Sequence, residues 1–105
     1  IEIAAAGFSY PAAGTATAVP ISGVAAAGGG NGAGIALNIV VDTAANLAAA
    51  GGDVSANYSA AALAYDTTNN TILYDADGNF RAGAVVIGTI TSLTGTIDAN
   101  NFTIV

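Results

Sequence analysis

The sequence predicts a mainly β domain, an antiparallel sandwich or roll with one short helix. Three observations carry that expectation. Residues 63–75 read Leu-Ala-Tyr-Asp-Thr-Thr-Asn-Asn-Thr-Ile-Leu-Tyr-Asp, two arms of tyrosine and aliphatic residues around paired asparagines that tolerate the positive φ of a tight hairpin turn. Residues 35–41 and 84–90 are short apolar runs rich in Val and Ile, the composition of buried strands. Clusters of Gly, Asn, Ser and Thr separate these runs, as turns do.

Taken in order, residues 1–3 and 15–19 alternate apolar and polar side chains, but Pro11 and Pro20 interrupt any ladder they join. Residues 1–27 therefore read as an extended N-terminal arm or as edge strands. Residues 28–34, Gly-Gly-Gly-Asn-Gly-Ala-Gly, form a glycine-rich hinge, and residues 35–105 form the β domain. In that domain, residues 35–41 are the best candidate for a central strand. Residues 42–52 carry an acceptor at the N-cap, alanines inside and glycine at the end, the marks of a helix. At about two turns it needs packing to persist. Residues 84–90 read as a second buried strand, 92–95 as a turn and 102–105 as a closing strand. An aliphatic residue followed by three alanines and glycine recurs at 3–7, 24–28 and 47–51, in steps of roughly 20 residues that also suit a β-solenoid coil. The solenoid is the alternative fold.

Composition narrows the function. At 105 residues the chain is one domain. Hydrophobic residues make up 53%, but alanine is their largest share and buries little area, so the core is thin. With only 8% charged residues, the surface falls to Thr, Ser, Asn, Gly and Ala, and such a surface is prone to self-association. Seven acids against the single Arg81 give a net charge of −6, which excludes nucleic acid as a partner, since phosphate binding rests on Lys and Arg. No apolar run approaches the length of a membrane span. The chain has no Cys and no His, so zinc, copper and haem lose their usual ligands while hard cations held by oxygen do not. Ser and Thr have neither His nor Lys to activate them, which argues against an enzyme. The glycine-rich segment lacks both the G-x-G-x-x-G spacing and the lysine of a phosphate loop.

Residues 75–79, Asp-Ala-Asp-Gly-Asn, are the chemically distinctive stretch. Continuing a strand, Asp75 and Asp77 would face the same way about 6.5 Å apart. Two such carboxylates repel, a cation relieves the repulsion, and Gly78 allows a bend around one. The stretch is not an EF-hand loop, because Phe80 and Val86 stand where that loop needs Gly and Glu. The candidate ligands are Asp75, Asp77 and Asn79, with Asp66 and Asp98 from neighbouring turns. Tyr58, Tyr65 and Tyr74 are candidates for a carbohydrate platform, and hydrophobic anchors as the plainer alternative.

Residues Tyr65-Asp66, the run 73–79, Ala82-Gly83-Ala84, Leu93-Thr94 and the terminal Asn101-Phe102-Thr103-Ile104-Val105 carry a resemblance. In order and spacing the segment 63–105 resembles the C-terminal segment of RTX-type proteins, the hemolysin-type calcium-binding bacterial surface proteins exported by the type I route. The glycine-aspartate nonapeptide repeats of that family are absent upstream. The resemblance implies a secreted or cell-surface location, type I secretion and calcium near Asp75 and Asp77. The chain begins at Ile1 without Met, which suits a processed chain or a part of a longer one. The expected function is an extracellular structural protein, a self-assembling subunit of a surface filament or layer whose partners are its own copies. The alternatives are the C-terminal cap and secretion module of a larger protein, and a module binding cell-surface glycans.

Overall fold

The computed structural model describes residues 1–3, 14–15, 17–19, 38–55, 62–97 and 101–104. The protein is mainly β. Among the described residues, eight strands, β1 (Glu2–Ile3), β2 (Gly14–Thr15), β3 (Thr17–Val19), β4 (Asn38–Asp42), β5 (Ala62–Asp66), β6 (Thr71–Asp75), β7 (Val85–Thr89) and β8 (Thr103–Ile104), accompany one helix, α1 (Ala44–Ala48). They form a five-stranded sheet in the order β3-β4-β5-β6-β7 and a three-stranded sheet in the order β1-β8-β2.

The expected hairpin is present. β5 and β6 pair antiparallel from Ala62 opposite Asp75 to Asp66 opposite Thr71, and Asn70 closes the turn at φ 53°. One of the two asparagines adopts the left-handed conformation, which is enough to reverse the chain.

The larger sheet is mixed where a purely antiparallel one was expected. β3 pairs parallel with β4, and β4 parallel with β5. A parallel neighbour cannot be reached by a tight turn and requires a crossover. The helix read at 42–52 lies on that crossover, between β4 and β5. Thr43, not Asp42, is its N-cap, and its side chain accepts the Asn46 N–H. A 3-10 turn at Ala50–Gly52 follows. Gly52 is obligatory there, because a Cβ would stand 1.8 Å from the Leu47 carbonyl oxygen. The antiparallel run β5-β6-β7 is likewise not the pairing of a solenoid coil.

Side-chain alternation along β4, β5 and β6 divides the core between the two faces of the sheet. Val40, Ala62 and Ala64 pack on one face with Leu47, Val54 and Phe80. Ile39, Leu63, Tyr65 and Ile72 pack on the other with Phe102. Alanine at 62 and 64 lets the helix approach closely, so the small residues of the composition have a packing role. Phe102, fully buried and immediately before β8, meets the Tyr65 ring at 6.4 Å between centroids, tilted by 56°.

β7 departs from the expectation of a buried strand. It is the last strand of its sheet, and Val85 and Val86 are 56% and 55% exposed. Among the described residues no strand lies beyond it. Ile72 pairs with Gly88 but Leu73 with Val86, so Ile87 is the extra residue of a β-bulge.

In the N-terminal segment 1–27 the described strands pair within their own chain, β1 and β2 with β8 and β3 with β4. The glycine-rich hinge at 28–34 lies outside the described residues.

Candidate functional site

The loop after β6 is built on its own hydrogen bonds. Asp75 ends the strand, and its Oδ1 accepts the N–H groups of Asp77 at 3.0 Å and Asn79 at 2.9 Å. Asp77 Oδ1 accepts the same Asn79 N–H at 3.0 Å, and Asn79 Oδ1 accepts the Arg81 N–H at 3.3 Å. Gly78 makes the reversal at φ 82°. The loop is then fixed to the crossover: the Val54 N–H donates to the Gly78 carbonyl at 2.8 Å and the Phe80 N–H to the Gly52 carbonyl at 2.9 Å.

Asp75 is only 3% exposed, and Gly83 passes over it at φ +91°, where a Cβ would lie 3.7 Å from Asp75 Oδ2. Burial raises the pKa of Asp75, and the neighbouring Asp77 carboxyl raises it further, against the lowering effect of the two backbone donors. The two carboxyls differ in setting, Asp75 buried and Asp77 exposed, rather than standing as two like side chains of one strand face.

Asp75, Asp77 and Asn79 are thus brought together, whereas Asp66 is not among them. Asp66 ends β5 at the turn end of the hairpin, and Asp75 lies opposite Ala62 at the other end, about 13 Å away along the strands. Asp66 Oδ1 accepts the N–H groups of Thr68 at 2.8 Å and Asn69 at 3.3 Å, and its Oδ2 accepts from Asn69 Nδ2 at 2.7 Å. Its register partner is Asp42 of β4. Asp98 lies outside the described residues.

Two further aspartates do the same work, Asp42, which the sequence offered as a helix cap, and Asp53, which sequence reasoning did not single out. Asp42 Oδ1 accepts the Thr43 N–H at 2.8 Å and Asn46 Nδ2 at 2.6 Å. Asp53 Oδ1 accepts from Ser55 Oγ at 2.6 Å and the Ser55 N–H at 3.2 Å, and these bonds lower its pKa, with a small contribution from the charge of Arg81. The signal was in the sequence: Ser55, Thr68, Asp77 and Asn79 each follow an aspartate by two positions, the spacing of a side chain that caps its own turn.

Of the described tyrosines, Tyr65 offers no exposed ring face. Tyr65 is 1% exposed, its hydroxyl donates to Asn70 Oδ1 at 2.8 Å, and burial followed by the charge of Asp66 raises its pKa. Tyr74 is half-buried, and Tyr58 lies outside the described residues. A groove of about 350 Å³ opens beside Tyr65, between Asn70 and the loop carrying Leu93 and Ile97.

What the fold and these side chains define is a mainly β domain whose aspartates close turns. Comparison with protein-family models, with curated proteins and with solved structures found no match. No helix among the described residues is long and apolar enough to cross a membrane.

Proposed function

We propose that this chain is a non-enzymatic extracellular structural protein, a self-assembling subunit of a surface layer or filament, secreted by the type I route that its C-terminal resemblance implies. The observation that carries the reading is β7, an edge strand without charge or proline that leaves two valines more than half exposed. An uncharged edge presents backbone N–H and C=O groups as a template for another strand, and proteins that must stay single usually blunt it with Lys or Pro. The chemistry of the side chains supports the same reading, because five aspartates act as acceptors in local turns.

Light scattering across a range of protein concentrations tests the proposal, with assemblies of many chains as the expected result. Single chains at every concentration would overturn it. The resemblance over residues 63–105 then favours the second reading, the C-terminal cap and secretion module of a larger protein, for which a single chain is the natural state.

Calcium belongs to the proposal through the resemblance. Asp75, Asp77 and Asn79 would hold it, and their side-chain oxygens keep acceptor capacity beyond the bonds they accept from the turn. They supply a minority of the roughly six to eight oxygens that calcium takes, and main-chain carbonyls and water would complete the set. Thermal melts with calcium and with a chelator are the direct check: a higher midpoint with calcium supports the ion, and equal midpoints remove it.

A further inference from the structure

The two exposed valines of β7 face opposite ways. Val85 lies opposite Tyr74 and Val86 opposite Leu73; Tyr74 packs against the core on one face of the sheet and Leu73 against the core on the other. A layer laid over the sheet would cover one valine and leave the other in water. A strand added beside β7 covers both, because its own side chains alternate between the same two faces.

We propose that the added strand is β7 of a second copy, paired antiparallel about a two-fold axis, so that two five-stranded sheets join into one. The inference rests on the self-assembly reading and names the contact. Charge selects the occupant. The chain carries −6 overall, yet residues 82–97 contain no charged side chain, so this edge meets its own copy without setting carboxylates against each other. A two-fold axis normal to the sheet makes the joined strands antiparallel, which continues the order β5-β6-β7 and makes the contact self-complementary. The other end of the sheet is less suited: Pro20 follows β3 in the sequence and has no N–H to give. The strands of the smaller sheet, at two residues each, are too short to template a partner. The bulge at Ile87 twists β7 and limits the length that can pair, which favours one short symmetric contact that joins chains in pairs; growth into a filament or layer then needs a second contact elsewhere on the chain.

The test uses Val86→Lys and Val86→Asp, each checked for folding by circular dichroism, with average assembly mass read by light scattering at the concentration where the unmodified chain assembles. Each variant alone sets like charges across the axis, and its assembly mass is expected to fall at least twofold. Mixing the two sets opposite charges across it and is expected to restore the mass. If either variant does not fold, Thr89→Lys and Thr89→Asp, at a position also exposed on β7, replace the pair. Unchanged mass in the folded single variants overturns the contact while leaving self-assembly standing. A loss that mixing does not restore overturns the two-fold pairing. An unmodified chain that stays single at every concentration overturns the self-assembly reading and this contact with it.

Discussion

Asp75 is the residue on which local chemistry concentrates. It is a buried carboxyl that accepts two main-chain N–H groups and lies beside the Asp77 carboxyl. Its pKa is raised in the folded chain, so the fold holds the proton more tightly than the unfolded chain does. Its contribution to stability is fully present below the ordinary aspartate value of about 4 and is lost as pH rises through the raised value. Asn mimics the protonated acid and keeps the Oδ1 acceptor. Asp75→Asn is therefore expected to retain or raise the melting midpoint at neutral pH and to flatten its fall between acid and neutral pH. Asp75→Ala leaves the N–H groups of Asp77 and Asn79 without that acceptor and is expected to cost about 1–3 kcal/mol. Denaturant titrations of the three proteins across pH, with a calcium chelator present, separate these outcomes. An Asn variant as damaging as the Ala variant would show that the ionised carboxyl is the stabilising form.

Among the elements, α1 and β7 show how position in the sheet changes what a similar composition does. α1 is five residues long and keeps its conformation because Leu47 is buried beneath it and because the crossover from β4 to β5 needs a connector there. β7 has the same Val and Ile content as a core strand, but it lies at the edge, where two of its valines meet water. The segment before β8 is the third case. Phe102 fills the core on the opposite face from α1, so this residue anchors the C-terminal segment to the larger sheet. Phe102→Ala is expected to cost about 3–5 kcal/mol, from lost burial and the cavity left behind, a large share of the roughly 5–15 kcal/mol that holds a domain of ordinary stability. Chemical denaturation measures it directly, and a loss below about 1 kcal/mol would mean that the C-terminal segment is not tied to the core through this ring.

At the scale of the whole molecule, residues and local elements were legible in the sequence to a different extent than their arrangement. The hairpin at 62–75, the strand ending at Asp42, the short helix and the turn at 92–95 follow from local rules: alternation, capping, and residues that accept positive φ, as Asn70, Ser92 and Gly95 do. The grouping of Asp75, Asp77 and Asn79 was legible for the same reason, since all three belong to one turn. The placing of Asp66 was not, because an aspartate two residues before a Thr reads alike at either end of a hairpin, and only strand direction puts it about 13 Å away.

The sequence by itself determined a mainly β chain, poor in charge and without His or Cys, with turns closed by aspartate and asparagine. Each of those properties depends on a residue and its near neighbours. Only the tertiary structure decided that β3, β4 and β5 run parallel, that the acids of the two hairpin ends stay apart, and that β7 is the last strand of its sheet among the described residues. Those are outcomes of which strands meet across distant sequence, and the same Val-rich stretch is core or edge according to whether another strand lies beside it.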